Sequence, residues 1–337
     1  MRLFRYLVTR VLLTIPMLFV MLSLIFVVLR IMPGDPVSAM LGGHAPQSVI
    51  DEQKHKLGLD SPIGAQYVDY LVHLAHLDLG TSMVFDERVT SPIADKLPAT
   101  IELTLAGMAV TLLVGVPLGA YAAQKRRSRW DYGIRVYANV VYCIPVFWMG
   151  LLLQLLFGVL LGWFPISGRT SPRVDISEFA RTGFYTLDSL ISGDPAAFGD
   201  VMWHLVLPAV TLGIVLSGIF VRLTRANMLD VLKSDYILAA RARGIPERRV
   251  VYNHGLRNAL IPIVTMLGLQ FSLLLAGAIL TESTFSWPGM GRLLLERIYL
   301  RDYPTIQGVI VVYTLVVSAM SLLVDLLYAA IDPRVKY

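Results

Sequence analysis

Few residues in this 337-residue chain have the types and spacing that a metal site would require. His73 and His76, followed by Asp78, are close enough in sequence to share one side of a helix, as two ligands of a zinc ion do. The sequence around them offers no third close ligand. We therefore expect ordinary surface residues of an amphipathic helix, and we predict no metal site.

Sequence motifs of common enzymes are also missing. The chain has no Gly-x4-Gly-Lys-Ser/Thr loop and no Gly-Lys dipeptide, so it cannot bind ATP in that manner. His-Glu-x-x-His and Gly-x-Ser-x-Gly are absent too, which removes the usual cues for a zinc protease or a serine hydrolase. The single cysteine, Cys143, cannot form a disulfide within the chain and is expected to be a small packing residue. The sequence thus predicts no catalytic residues and no cofactor bound by this chain.

Two carboxylates fall at or within apolar sequence. Glu102 precedes one long apolar run, and Asp325 lies inside another. Ionisable residues in membrane segments are candidate functional sites, and an ammonium group crossing the membrane would be attracted by them. The alternatives are structural: Glu102 could cap a helix or extend to the membrane surface, and Asp325 could pair with a basic residue. We favour the structural role for Asp325 and leave both roles open for Glu102, as candidate residues of a translocation path.

A basic segment, residues 235–265, separates two long apolar runs. Gly244 suits a left-handed helix end, and Pro246 with Glu247 suits the first turn of a new helix. The pattern predicts a helix–glycine–helix unit that another protein can approach closely. The alternative is a basic helix that lies on anionic lipid. Apolar and small residues at helical spacing predict one continuous stripe through Leu229, Leu232, Tyr236, Ala239 and Ala240.

The order of these residues resembles the "EAA" coupling loop of permeases in ATP-binding-cassette importers, which docks into a groove of the ATPase subunit. Arg241-Ala-Arg-Gly244 and His254-Gly-Leu-Arg-Asn-Ala259 are similar to the peptide permease branch. Leu238 replaces the glutamate of the wider family, and Arg257 replaces its proline, as is usual in that branch. The resemblance implies a coupling loop over residues 224–258 with these ATPase-contacting residues: Tyr236, Ala239, Ala240, Arg241, Arg243, Gly244 and Leu256.

The resemblance extends over nearly the whole chain. Pro33-Gly-Asp-Pro36, Leu97-Pro-Ala-Thr100, Phe285-Ser-Trp-Pro-Gly-Met-Gly291 and Asp325-Leu-Leu-Tyr328 are all similar to peptide permeases. An aromatic residue beside Pro-Gly also suits the aromatic belt at a membrane surface. Leu77 stands where the family more often has glycine, from which we expect a looser turn.

Composition independently predicts an integral membrane protein. The chain is 55% hydrophobic and 16% charged, whereas soluble domains carry about a quarter charged residues. Six runs are long enough to cross the hydrocarbon core as helices, the first of them a retained span and not a signal peptide. These predicted spans are approximately Val11–Leu29, Leu103–Ala123, Val136–Leu161, Trp203–Leu223, Ala259–Thr281 and Thr305–Ala330.

The distribution of basic residues predicts the orientation. If both termini are cytoplasmic, the inner segments hold 18 of the 29 lysines and arginines, although they contain fewer residues than the outer segments. The positive net charge of +5 is therefore a topology signal, and nucleic-acid binding is the wrong inference from it. Residues 1–337 would form one permease domain, with a large extracytoplasmic segment at 30–102.

The fold class expected from the resemblance is an all-α, six-span permease of the type I importer class in the bacterial inner membrane. Its function would be ATP-driven import of dipeptides or short oligopeptides; the alternative within the class is import of nickel chelates, glutathione or oligosaccharides. The implied partners are a second permease subunit, two ATPase subunits that use ATP and magnesium, and an extracytoplasmic peptide-binding protein. A channel or proton-coupled carrier fits less well, because a carrier would show inverted repeats and charge pairs within the membrane.

Overall fold

The computed structural model describes residues 2–31, 37–38, 46–56, 58–176 and 180–331. Within these ranges the chain is built of helices, and the only β feature is an isolated antiparallel bridge between Thr81 and Arg88. Helices satisfy the backbone hydrogen bonds of a long apolar run internally, which lipid requires. The predicted all-α membrane architecture is confirmed.

Over the described residues, we number the helices in chain order. They are α1 (Arg2–Ile31), α2 (Gln47–Lys56), α3 (Ile63–Ala75), α4 (Thr90–Gln124), α5 (Arg129–Cys143), α6 (Val146–Leu153), α7 (Tyr185–Ser192), α8 (Pro195–Val231), α9 (Asp235–Ala242), α10 (Glu247–Arg249), α11 (Arg257–Thr284), α12 (Met290–Tyr299) and α13 (Tyr303–Ile331). Two further stretches are π-helical, Gln154–Leu160 after α6 and Val250–Leu256 before α11.

Length and hydropathy identify four membrane-crossing helices in the described part of the chain, and a fifth if α5 and α6 together make one span. The four lie in α1, α4, α8 and α13. The remaining predicted span, 259–281, lies within α11, whose apolar stretch Pro262–Phe271 is shorter than a full crossing. The protein therefore crosses the membrane several times, and the count of six stays a prediction.

The predicted span Val136–Leu161 is not one straight helix. The axes of α5 and of the helix that follows it differ by 103°. Ile144 has extended backbone (φ −80°, ψ 125°), and Pro145 precedes the first residue of α6. Proline lacks the N–H that would continue the helix and disfavours helical backbone in the residue before it. Pro145 thus explains the break.

The chain forms two compact units. The first comprises Met1–Leu97 and Gly289–Ser318, and the second comprises Pro98–Pro288 and Ala319–Tyr337. The first unit has a core in which α4, α12 and α13 meet, formed by Val89, Ile93, Met290, Leu293 and Val309.

Glycines allow the helices of the second unit to pack closely. A Cβ on Gly115 would lie 2.6 Å from the Cβ of Phe220, and one on Gly119 would lie 2.6 Å from the Cβ of Thr224. Gly115 and Gly119, two small residues four positions apart in α4, therefore lie directly against α8, as this spacing permits. Gly218 of α8 meets α5 in the same way.

The aromatic residues after α11 do not form a membrane-surface belt. Trp287 is fully buried, and its indole Nε1 donates a hydrogen bond to the carbonyl of Ala99 at 2.9 Å. Phe285 is buried as well. A buried tryptophan needs a partner for its N–H, and the start of the second unit supplies it. The expectation of an interfacial position was therefore wrong for Trp287, the aromatic residue beside Pro-Gly.

Candidate docking site

The predicted coupling loop begins at a break between two helices. Helix α8 ends at Val231, and α9 begins at Asp235. Ser234 between them has extended backbone, and its hydroxyl donates to the carbonyl of Val231 at 2.6 Å. Serine readily forms such local bonds, which compete with a continuous helix. The expectation of one stripe from Leu229 to Ala240 was therefore wrong, because the chain turns inside it.

Helix α9 has a buried side and an exposed side. Ile237 and Ala240 are buried and pack against Val250, with Leu232 and Ile245 beside them. The remaining side chains of the helix and its end face outward: Asp235, Tyr236, Leu238, Ala239, Arg241, Ala242 and Arg243. Leu238 is 52% exposed and Tyr236 is 45% exposed. This chain alone thus leaves an outer side of α9 that is partly apolar, with small and basic residues beside it and the acidic Asp235 at its first position.

Gly244 ends this helix in the left-handed conformation, with φ of 76°. Its N–H donates to the carbonyl of Arg241 at 2.9 Å, and the N–H of Ile245 donates to that of Ala240 at 3.3 Å. Glycine adopts this conformation without the steric cost of a side chain. The predicted left-handed helix end is confirmed, and α10 then begins at Glu247, directly after Pro246, also as predicted.

An ion pair closes the turn between α9 and α10. The guanidinium of Arg241 donates to both carboxylate oxygens of Glu247, at 3.1 and 2.7 Å. These hydrogen bonds lower the pKa of the Glu247 carboxyl below its usual value and raise the pKa of the Arg241 guanidinium. Asn258 at the start of α11 donates to the hydroxyl of Tyr236 at 2.7 Å. The short helix is therefore fixed to the elements on either side.

The seven predicted ATPase-contacting residues divide into two groups. Ala240 is buried, and Leu256 is partly buried against a cluster that includes Ala120 and Met228. These two residues anchor the loop to helices of its own chain. The other five are exposed and available to a partner: Tyr236, Ala239, Arg241, Arg243 and Gly244.

A buried ion pair beside this loop was not anticipated from the sequence. Arg225 of α8 donates through Nε and Nη2 to the two oxygens of Asp131 at 2.6 and 2.9 Å. The side chain of Asp131 is only 2% exposed. The Ser128-x-x-Asp131 pattern could have located the start of α5, since the Asp131 N–H donates to the Ser128 hydroxyl at 3.3 Å. No local signal indicated Arg225.

Glu102 lies in a second polar cluster, distant in sequence from the loop. It is 6% exposed and accepts from Nη2 of Arg169 at 2.5 Å. The N–H of Thr186 also donates to it, at 2.7 Å, and Arg169 donates to the carbonyl of Gly183 at 3.0 Å. These partners favour the structural role for Glu102. The side chain of Asp325 lies outside the described part of the structure.

The histidines of α3 have local partners. A ring nitrogen of His76 lies 2.8 Å from the carbonyl of Val72, and one of His73 lies 3.2 Å from Asp78. Within the described residues, no group of three or more potential ligands is placed to hold a metal ion.

Two family models cover almost the whole chain. The inner membrane component of binding-protein-dependent transport systems matches residues 115–337, and the N-terminal region of such membrane components matches residues 3–104. The chain belongs to this family. It is therefore an inner membrane transport subunit, not an enzyme.

Curated relatives match along their full length. The di/tripeptide transport system permease protein DppB of Pseudomonas aeruginosa is 44% identical over 96% of each chain. The dipeptide transport system permease protein DppB of Escherichia coli is 40% identical over 99% of each. The glutathione transport system permease protein GsiC of Pectobacterium atrosepticum is 38% identical over 98% of this chain and 99% of its own.

Solved structures support the fold. The MetNI methionine ABC transporter, in inward-facing conformations, gives a TM-score of 0.53 at 15% identity, over 69% of this chain and 93% of the matched chain. The predicted type I importer permease fold is confirmed.

Proposed function

We propose that this protein is the permease subunit of an ATP-driven importer that moves dipeptides or short oligopeptides across the inner membrane. The observation that carries the proposal is the full-length similarity, at 40–44% identity, to permeases named for di- and tripeptides. Glutathione is the second candidate, because glutathione permeases are 38% identical over 98% of the chain. Glutathione is itself a modified tripeptide, so the two candidates share their chemistry.

The proposed assembly contains a second homologous permease subunit, two ATPase subunits and an extracytoplasmic binding protein. Dependence on a binding protein is part of the family description. The sequence contains no phosphate-binding loop of the Gly-x4-Gly-Lys type, so the ATP and magnesium belong to separate subunits. Selectivity then lies mainly in the binding protein.

The exposed side of α9 is the proposed contact with an ATPase subunit. Tyr236 and Leu238 offer apolar contact area, Ala239 allows close approach, and Arg243 adds positive charge. Because Ile237 and Ala240 fix α9 to its own chain, a movement of the ATPase would be passed to the neighbouring helices. Closure of the ATPases on ATP would thereby reorient the spans in alternating access.

Uptake by the reconstituted importer tests the substrate. Vesicles would contain both permease subunits and the ATPases, with the binding protein outside and ATP inside. We expect ATP-dependent uptake of labelled dipeptide. An excess of unlabelled dipeptide should abolish this uptake, and the same concentration of glutathione should reduce it less. Uptake of glutathione alone would assign the second candidate, and uptake of neither would refute the peptide proposal.

Substitutions at Gly244 test the docking. Gly244→Asp should leave the permease inserted but reduce ATPase association and uptake at least tenfold. Gly133→Asp is the matched control, because that exposed position in α5 also has open space around its Cβ but lacks positive φ.

Gly244→Asn separates the effect of negative charge from the effect of bulk, since asparagine and aspartate both tolerate left-handed backbone. Loss of docking in both Gly244 variants, with a normal control, supports a tight contact with the ATPase. Normal docking and uptake in Gly244→Asp would instead favour a helix that lies on lipid.

A further inference from the structure

The first unit contains an open cavity of about 790 Å³. It lies where the end of α1, helix α3 and the start of α13 meet, and neither the transport proposal nor the docking site uses it. The lining residues on which the inference depends are Phe26, Arg30, Gln66, Asp69, Tyr70 and Gln307.

Three of these lining residues have buried hydrogen-bond donors without a partner among the described residues. The atoms are Nη1 of Arg30, the hydroxyl of Tyr70 and Nε2 of Gln307. Gln307 is 8% exposed, so its side chain is almost fully covered by the protein. Buried polar groups are almost always paired, and an unpaired one is costly. Three donors that are unpaired among the described residues therefore surround a space that could hold an acceptor.

Among the described residues, the contacts of Arg30 hold its guanidinium beside the cavity without a carboxylate partner. Its Nε donates to the side-chain oxygen of Gln66 at 2.9 Å, and its guanidinium lies 4.9 Å from the ring centre of Phe26 and 5.3 Å from that of Tyr303. These contacts orient the guanidinium but supply no negative charge. Burial raises the pKa of the Tyr70 hydroxyl, so this group stays protonated and able to donate. An oxyanion is the kind of acceptor that would match the positive charge of Arg30 and accept hydrogen bonds from all three donors.

The position of the cavity indicates where the oxyanion comes from. Arg30 lies in the last turn of α1, and only 17% of the membrane-crossing window of that helix is buried within the protein. Most of the surface of α1 is therefore left uncovered by this chain, and the end of its apolar window at Ile31 is where the headgroups are expected. Phe26 packs against Tyr67 and Tyr70, with ring centres 5.1 and 5.7 Å apart. Basic and aromatic residues at a span end are typical of this level of the membrane.

We propose that this cavity binds the phosphate of a membrane phospholipid. Arg30 supplies the charge, and Tyr70 and Gln307 donate hydrogen bonds after a small rotation toward the ligand. Asp69 also lines the cavity, and its carboxylate side chain is 74% exposed. This negative charge favours a zwitterionic headgroup, whose ammonium it attracts, over one with a second negative charge.

Native mass spectrometry of the purified full-length chain tests the site. We expect the wild type to retain one more phospholipid than Arg30→Gln, with occupancy at least tenfold lower in the variant. Arg88→Gln is the matched control, because it removes an exposed arginine of the same unit outside the cavity. Gln307→Met removes a donor at similar volume and should lower occupancy severalfold, which keeps the test valid if Arg30→Gln does not fold. Equal retention by wild type, Arg30→Gln and Gln307→Met would overturn the proposal.

Thermal unfolding of delipidated wild type distinguishes lipid from a free anion. Dihexanoylphosphatidylethanolamine below its micelle concentration should raise the unfolding temperature by several degrees in wild type and Arg88→Gln, but not in Arg30→Gln. Inorganic phosphate and glycylglycine should have much smaller effects at the same concentration. An equal shift with inorganic phosphate would overturn the lipid assignment in favour of a free phosphate. An equal shift with glycylglycine would overturn it in favour of a peptide carboxylate.

Discussion

Leu77 has a backbone conformation that leucine rarely adopts, with φ of 59°. It follows α3 in a turn in which the N–H of Asp78 donates to the carbonyl of His73 at 3.0 Å. The side chain is 83% exposed and provides little packing in return. The sequence led us to expect that leucine loosens this turn; the structure shows a hydrogen-bonded turn in which the leucine is strained. A glycine would adopt the same conformation without strain.

We therefore expect Leu77→Gly to stabilise the protein by about 1 kcal/mol, since left-handed backbone costs a residue with a side chain roughly that much. The measurement is thermal unfolding of the purified protein in detergent. Leu187→Gly is the matched control: this leucine is exposed in α7 without positive φ, so the change should destabilise by about 1 kcal/mol. A lower unfolding temperature for Leu77→Gly would contradict strain at this residue.

The pair of Glu102 and Arg169 gives a second prediction at the residue scale. Both side chains are almost fully buried, at 6% and 4% exposure, so removal of one leaves the other charge without its partner. We expect Arg169→Met to destabilise by about 3–5 kcal/mol, and the double variant Glu102→Gln/Arg169→Met to recover part of that loss. Unfolding measurements on the two single variants and the double variant check this.

Transport separates the two roles of Glu102. If Glu102 attracts the substrate, Glu102→Gln would reduce uptake while unfolding stays normal. Near-normal stability in every variant, with uptake lost only in those that alter Glu102, would contradict the structural role.

Residue-scale features were predictable where their cause is local. The left-handed Gly244 and the helix start at Glu247 follow from glycine and proline chemistry within a few positions. The partners of buried charges were not predictable, because Arg225 is 94 residues from Asp131 and Arg169 is 67 residues from Glu102. Only the fold brings such residues together.

At the scale of elements, the short helix α9 is held in place by contacts with neighbouring parts of the chain. Helix α9 is held by apolar packing on one side, by Asn258 through Tyr236, and by the pair of Arg241 and Glu247 across the glycine turn. The sequence predicted the helix and its end but placed Tyr236 on one stripe with Leu232. The turn at Ser234 separates them, since a serine that bonds locally interrupts the helix. Helix α9 is consequently a separate element joined to its neighbours by these few contacts.

Acid should weaken this turn. The pKa of Glu247 is depressed in the folded protein by its hydrogen bonds from Arg241, so the pair stabilises fully above the unfolded pKa of 4.5. The stabilisation is lost as pH falls through the lower, folded pKa. Both side chains are partly exposed, so we expect only about 0.2–1 kcal/mol.

The check is the stability difference between wild type and Glu247→Gln, at pH 7 and at pH 3. It should be present at pH 7 and smaller at pH 3, and Arg241→Gln should show the same trend because it breaks the same pair. A difference that persists unchanged at pH 3 would show that Glu247 stabilises the turn by other means than its charge.

At the scale of the whole molecule, apolar runs and their lengths predicted most of the helices. Such helices can be recognised from sequence without tertiary information, because a backbone in lipid must form its hydrogen bonds within the helix. The bend at Pro145 changed one predicted span into a pair of helices, and Trp287 proved to be buried inside the protein. The bend follows from the local chemistry of Pro145, and the burial of Trp287 follows from packing within the second unit; a hydropathy pattern contains neither.

Orientation gives the last prediction. The excess of lysine and arginine places both termini and the segment 224–258 in the cytoplasm and the segment 30–102 outside. Lys233 and Leu77 make a suitable pair of positions, because their side chains are 63% and 83% exposed. We would replace each by cysteine after changing Cys143, an exposed free thiol, to alanine. A membrane-impermeant maleimide added to intact spheroplasts should label Leu77→Cys quickly and leave Lys233→Cys unlabelled until the membrane is opened. The reverse pattern would invert the topology and place the proposed docking helix α9 where no cytoplasmic ATPase could reach it.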